Sequence, residues 1–90
     1  MDEALTLAEL ERLARTARVD VRREALTVAG GLCRVRGRWT LLLDSTLSVD
    51  EQIDLLVEAL RGFDLTGVYV RPAVRQLLEP EGAGDAASEQ

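Results

Sequence analysis

The sequence predicts an α+β domain of about three helices packed on a small, mainly antiparallel sheet centred on a β-hairpin. Three observations carry that prediction. Apolar residues alternate through Cys33, Val35, Trp39, Leu41 and Leu43 on either side of Gly37, the period-two signature of paired strands. Directly afterwards, Ser48 and Glu51 form a capping box ahead of the stripe Ile53, Leu56, Val57, Leu60 and Phe63, which is the spacing of one helix face. Thr6 and Glu9 repeat the capping pattern before Leu7, Leu10, Leu13, Ala14 and Ala17, a second such stripe.

In chain order, the first helix is expected to be capped by Thr6, with Leu5 stapled against Leu10, and to end near Arg18. Val19, Asp20, Val21 and Arg22 alternate and read as a short strand lying beside the hairpin. From Ala25 to Gly31 the chain reads as an irregular apolar connection, with the Gly30-Gly31 pair marking a turn.

Within the hairpin, parity selects the loop. A two-residue Arg36-Gly37 loop would set charged Arg34 opposite apolar Trp39, so a three-residue loop of Val35, Arg36 and Gly37 is expected, with Cys33 opposite Trp39. Gly37 then supplies the left-handed residue. On this reading Cys33 and Trp39 are buried, and Arg34, Arg36 and Arg38 project together from the other face. The run Leu41-Leu42-Leu43 predicts a central strand with apolar surroundings on both sides.

The second helix is expected to stop at Gly62 as a left-handed C′ glycine. A turn from Asp64 to Gly67 leads into extended Val68, Tyr69 and Val70, with Tyr69 in the core. Pro72 then opens a last helix whose apolar side is Ala73, Val74, Leu77 and Leu78. Residues 1–79 are read as one domain. Residues 80–90 hold no large apolar side chain, so they are expected to be a disordered acidic tail.

Composition narrows the chemistry. The chain has no histidine and no lysine, and a single cysteine. Imidazole zinc sites, histidine-based triads, Schiff-base lysines and thiolate clusters are therefore excluded, and neither a cofactor nor a metal is expected. A non-enzymatic chain follows from the same absences. No window approaches the length of apolar sequence that a membrane span needs, and the acidic start MDEALTL lacks the features of a signal peptide. A cytoplasmic protein without membrane contact is expected.

The formal net charge of -5 is unevenly spread. Residues 12–38 hold eight arginines against Asp20 and Glu24, whereas residues 44–64 hold six acids against Arg61 alone. The candidate partner contacts are accordingly Arg22, Arg23, Arg34, Arg36 and Arg38. The partner is expected to be a protein. Anion or nucleic-acid binding through Arg34, Arg36 and Arg38 is the alternative, opposed by the acidic total and by the lack of aromatics interleaved with those arginines. Cys33 reads as a packed small hydrophobe, and Asp50, Asp54 and Glu58 as a solubilising helix face.

The order of these elements resembles the minimal zincin-like peptidase domain of bacterial repressor-cleaving proteins, whose corresponding helix carries H-E-x-x-H. The matching window here is Val57-Glu58-Ala59-Leu60-Arg61. That resemblance places Glu58 at the family's general base but Val57 and Arg61 at its two metal ligands. It implies a retained fold without zinc or hydrolysis. The segment GGLCRVRGRWTLLLDSTLSVDEQIDLLVEAL, with GVYVRPAVRQLLE behind it, also resembles small uncharacterised bacterial proteins, a likeness that implies no activity. Together these readings favour a small interaction or regulatory module.

Overall fold

A computed structural model describes residues 2–28 and 30–79. The first helix, α1 (Glu3–Thr16), starts one turn earlier than its capping box suggests. Asp2 is the N-cap, its side chain accepting from the Leu5 N–H at 2.8 Å, while Thr6 is buried and donates its hydroxyl to the Asp2 carbonyl at 2.9 Å. Asp2 competes better because its carboxylate also meets the positive end of the helix. The expected staple fails with that shift, and Leu5 points to solvent. Leu10, Leu13 and Ala14 are fully buried as their stripe requires.

Three strands follow: β1 (Val19–Glu24), β2 (Gly30–Val35) and β3 (Arg38–Asp44), in the sheet order β1-β3-β2. Gly30 and Gly31 belong to β2 itself and make no turn. The leucine run occupies the central strand. The sheet is mixed, because β1 lies parallel to β3 and β2 antiparallel to it. The connection from β1 to β2 passes the end of β3, where the Leu26 N–H donates to the Asp44 carboxylate at 3.1 Å.

The hairpin closes with two residues, not three. Val35 pairs with Arg38, Arg34 with Trp39, Cys33 with Thr40 and Leu32 with Leu41. Both loop residues are left-handed, Arg36 at φ 53° and Gly37 at φ 81°, the backbone of a type I′ turn whose twist matches that of the strands. The charged-on-apolar pair that argues against this loop is resolved as an attraction. The Arg34 guanidinium lies over the Trp39 ring, 5.0 Å from its centroid, and donates to the Gly37 carbonyl at 3.0 Å. A cation over an indole face is favourable.

A one-residue difference in register exchanges the faces of β2. Partners in a ladder share a face, so Leu32 and Arg34 lie with Trp39 and Leu41 under the helices. Cys33 and Val35 lie on the open face with Arg38 and Thr40. Cys33 is thus half-buried and not a core residue, and Val35 is exposed. Arg34 and Arg38 occupy opposite faces, not one. Trp39 sits at the edge of the core, 36% exposed, its ring meeting that of Phe63 edge-on at 6.1 Å.

The helix α2 (Val49–Leu60) carries both halves of the predicted capping box. The Glu51 N–H donates to Ser48 Oγ at 3.2 Å and the Ser48 N–H to Glu51 Oε1 at 2.9 Å. Ile53, Leu56, Val57 and Leu60 are buried. Removing the Ser48 hydroxyl orphans one N–H of the first turn, so Ser48→Ala is expected to cost about 1 kcal/mol. Urea denaturation measures it, and an unchanged midpoint would contradict the cap.

At its far end α2 finishes in a tight turn, with the Gly62 N–H donating to the Ala59 carbonyl at 3.1 Å. Its C-cap is Arg61, which puts Gly62 at the C′ position as expected, but Gly62 is not among the left-handed glycines. The segment Val68–Val70 joins no strand, and Tyr69 is 70% exposed, outside the core. A short last helix, α3 (Pro72–Leu78), buries Val74, and Arg61 satisfies the carbonyls of Leu77, Leu78 and Glu79 at its end.

All three helices contribute to one core on one face of the sheet, joined by Val19, Leu41 and Leu43. Among the described residues no helix covers the other face, on which Thr40 is the one buried side chain. The acidic segment 80–90 lies outside the described residues. Among those residues no helix is long and apolar enough to cross a membrane.

Candidate functional site

The β1 side of the open sheet forms a cleft of about 860 Å³. Three elements line it: α1 and its end with Arg15 and Arg18, β1 with Asp20 and Arg22, and the hairpin with Arg36 and Arg38. Glu11 is the second acid on its wall. Their convergence follows from the fold: α1 ends immediately before β1, and the Val19–Trp39 pairing sets the hairpin tip beside the start of β1.

Of the predicted contacts, Arg22, Arg36 and Arg38 reach the cleft. Arg23 points to the helix layer, bonded to Glu11 at 2.8 Å and to Gln52 at 2.8 Å. Arg34 is engaged with Trp39 and Gly37. Arg15 and Arg18 escape a reading of the sequence, because helical periodicity turns Arg15 to water and places Arg18 in a connection. The available signal was Arg18 itself, standing where a helix normally ends in glycine or asparagine.

Both acids of the cleft are already paired. Asp20 accepts two bonds from Arg38, at 3.0 and 2.9 Å, and Glu11 is held by Arg23. Among the described residues Arg15, Arg18, Arg22 and Arg36 have no carboxylate within ion-pair distance. The cleft therefore presents uncompensated positive charge on a chain that is acidic in sum.

Ion pairing and hydrogen bonding pull several carboxylates below their usual range. The Arg12 hydrogen bond lowers Glu9, that of Arg38 lowers Asp20, and Thr46 followed by the Leu26 N–H lowers Asp44. Such groups bind fewer protons folded than unfolded, so their contribution is present above the unfolded carboxylate range and is lost as pH falls through the lowered folded values. Asp64 is lowered likewise by its hydrogen bond from Thr66, and Glu3, raised by its contact with Asp50, acts in the opposite sense as one group against four. The thermal midpoint is expected to hold between about pH 7 and 5 and to fall below about pH 4. A midpoint that rises on acidification below pH 4 would contradict these assignments.

The zincin-like window falls on α2. Glu58 is exposed and borders a second cleft of about 590 Å³ between α2 and α3, with Asp54 and Arg61. Val57, at the position of the first metal ligand, is buried in the core. No protein-family model, curated protein or solved structure matches this chain.

Proposed function

We propose that the chain is a non-catalytic interaction module that binds another protein across the arginine-lined cleft. The observation that supports this reading is the gathering of Arg15, Arg18, Arg22 and Arg36 from three separate elements around one strand, without carboxylate partners among the described residues. Surface arginines of a module without ligands are normally balanced by neighbouring acids, which also limits non-specific association. A partner supplying those acids would account for the excess. The lack of histidine and lysine weighs against catalysis at the same place.

A photo-crosslinking side chain at Val35, on the open face, tests the reading in a lysate of the source cells. One discrete adduct is expected, absent when the same group is placed at Glu58 and lost on Arg22→Glu. Equal labelling at both positions would overturn it. A second reading, an inactive zincin-like frame, draws on Glu58 bordering the α2–α3 cleft. Neither reading permits zinc-dependent peptide hydrolysis, so its detection would contradict both.

A further inference from the structure

The cleft follows a strand whose outer edge has no neighbour in the sheet among the described residues. Among them β1 pairs with β3 alone. The Glu24 carbonyl accepts from the Ser45 N–H at 2.8 Å, on the β3 side. By the alternation of a strand, Asp20, Arg22 and Glu24 turn their backbone groups toward β3, and Val19, Val21 and Arg23 turn theirs outward. Among the described residues no loop or cap hydrogen bond ends on those three. A row of unpaired N–H and C=O groups is a template for another extended chain.

A second observation concerns the arginines. Only two non-glycine residues among those described have left-handed backbones, Arg18 at φ 64° and Arg36 at φ 53°, and both line this cleft. An L-residue with a Cβ is disfavoured there, and asparagine or glycine fits better at a helix C′ position and at the first residue of a type I′ turn. Arginine at both points holds a charge where the local backbone favours another residue. Such strain concentrates at binding sites.

Resting on the reading above, and deepening it, we propose that the partner presents an acidic, extended segment of about six residues that adds to the free edge of β1 as a fourth strand. Its backbone bonds to Val19, Val21 and Arg23. Its side chains alternate in direction, so its carboxylates meet Arg22 on the open face and Arg15 from the helix layer, with Arg18 and Arg36 at the end where Val19 pairs with Trp39. Single-stranded nucleic acid fits less well, because no aromatic side chain lines the cleft to stack with a base.

The test uses the ¹⁵N-labelled full chain and four probes: the hexapeptide Glu-Glu-Thr-Glu-Glu-Thr, which carries carboxylates on both faces of an extended strand, its glutamine counterpart, inorganic phosphate and a short oligothymidylate. The acidic peptide is expected to shift the amides of Val19, Val21 and Arg23 and to slow their hydrogen exchange. The glutamine peptide should bind at least about tenfold more weakly, and binding of the acidic peptide should weaken with added salt.

Arg36→Asn separates a functional role from a structural one. It should raise the thermal midpoint by several degrees, because asparagine accepts the left-handed backbone more readily than arginine, yet weaken the acidic peptide about fivefold. A raised midpoint with unchanged affinity overturns the proposal. So do phosphate or oligothymidylate reproducing the response, and a response in which those three amides do not move. If Glu81→Gln, Asp85→Asn and Glu89→Gln together move the same amides without peptide, the chain's own acidic segment is the occupant and the partner assignment falls. A crosslink at Val35 without peptide binding would leave the interaction module standing and remove the acidic strand alone.

Discussion

Gly30→Ala is expected to leave the protein largely unfolded at room temperature, although it adds one methyl group to a strand. Gly30 has φ 147°, and a Cβ built on it would lie 2.1 Å from the carbonyl oxygen of Leu42. That neighbour is backbone of the central strand, so no side chain can turn away, and the first rung of the β2–β3 ladder must separate. The left-handed backbone adds a further penalty of about 1–3 kcal/mol. Together with the clash the loss is of order 3 kcal/mol or more, comparable to the few kcal/mol that a core of this size supplies. Gly31→Ala is the internal control: its Cβ would meet nothing within 4 Å. Circular dichroism should show Gly31→Ala melting near the unmodified protein and Gly30→Ala without a cooperative transition at any comparable temperature. Equal melting of the two would contradict the close approach of β2 to β3.

The second large effect is expected at Leu43, which is fully buried in the central strand. Its ladder partners on the helix face are Gly30, which has no side chain, and Arg23, which is held by Glu11 and Gln52. Neither can lean into a vacated space. Leu43→Ala should therefore fall toward the upper part of the usual range, about 3–5 kcal/mol, because the cavity stays open. The adjacent Leu42, half-buried on the opposite face, should lose much less on the same substitution. Urea denaturation distinguishes them, and similar losses at both positions would mean that the helix layer does not sit on the Leu43 side.

Most of the fold was legible because its signals are local. The helix after Ser48 was recognisable from a capping box and a stripe within one segment, and Pro72 marked the start of α3. The leucine run identified the central strand. What was not legible depended on competition between nearby alternatives. Asp2 outcompetes Thr6 as a cap by its charge, a difference no spacing rule contains. The hairpin loop turned on the sign of one contact: Arg34 opposite Trp39 counts as a mismatch when charge and apolar surface are compared, and as an attraction once the guanidinium can stack on the indole. That contact reassigned Cys33 from the core to the open face and parted Arg34 from Arg38.

The candidate site was legible only in part for a related reason. Arg22, Arg36 and Arg38 stood out as members of a basic stretch. Arg15 and Arg18 join them because β1 runs parallel to β3, which brings the end of α1 to the hairpin tip, and a parallel pairing of sequence-distant strands leaves no local mark.

The hairpin register sets where Val35 and Arg36 stand in the cleft, and nuclear Overhauser contacts between α-protons read that register directly. In a two-residue hairpin the closing Val35–Arg38 pair exchanges both hydrogen bonds, so the α-protons of Arg34 and Trp39, and those of Leu32 and Leu41, face each other closely. Strong contacts at those two pairs are the predicted result. A strong contact between the α-protons of Cys33 and Trp39 would contradict it, returning Cys33 to the helix side and rebuilding the hairpin tip that carries Arg36 into the cleft.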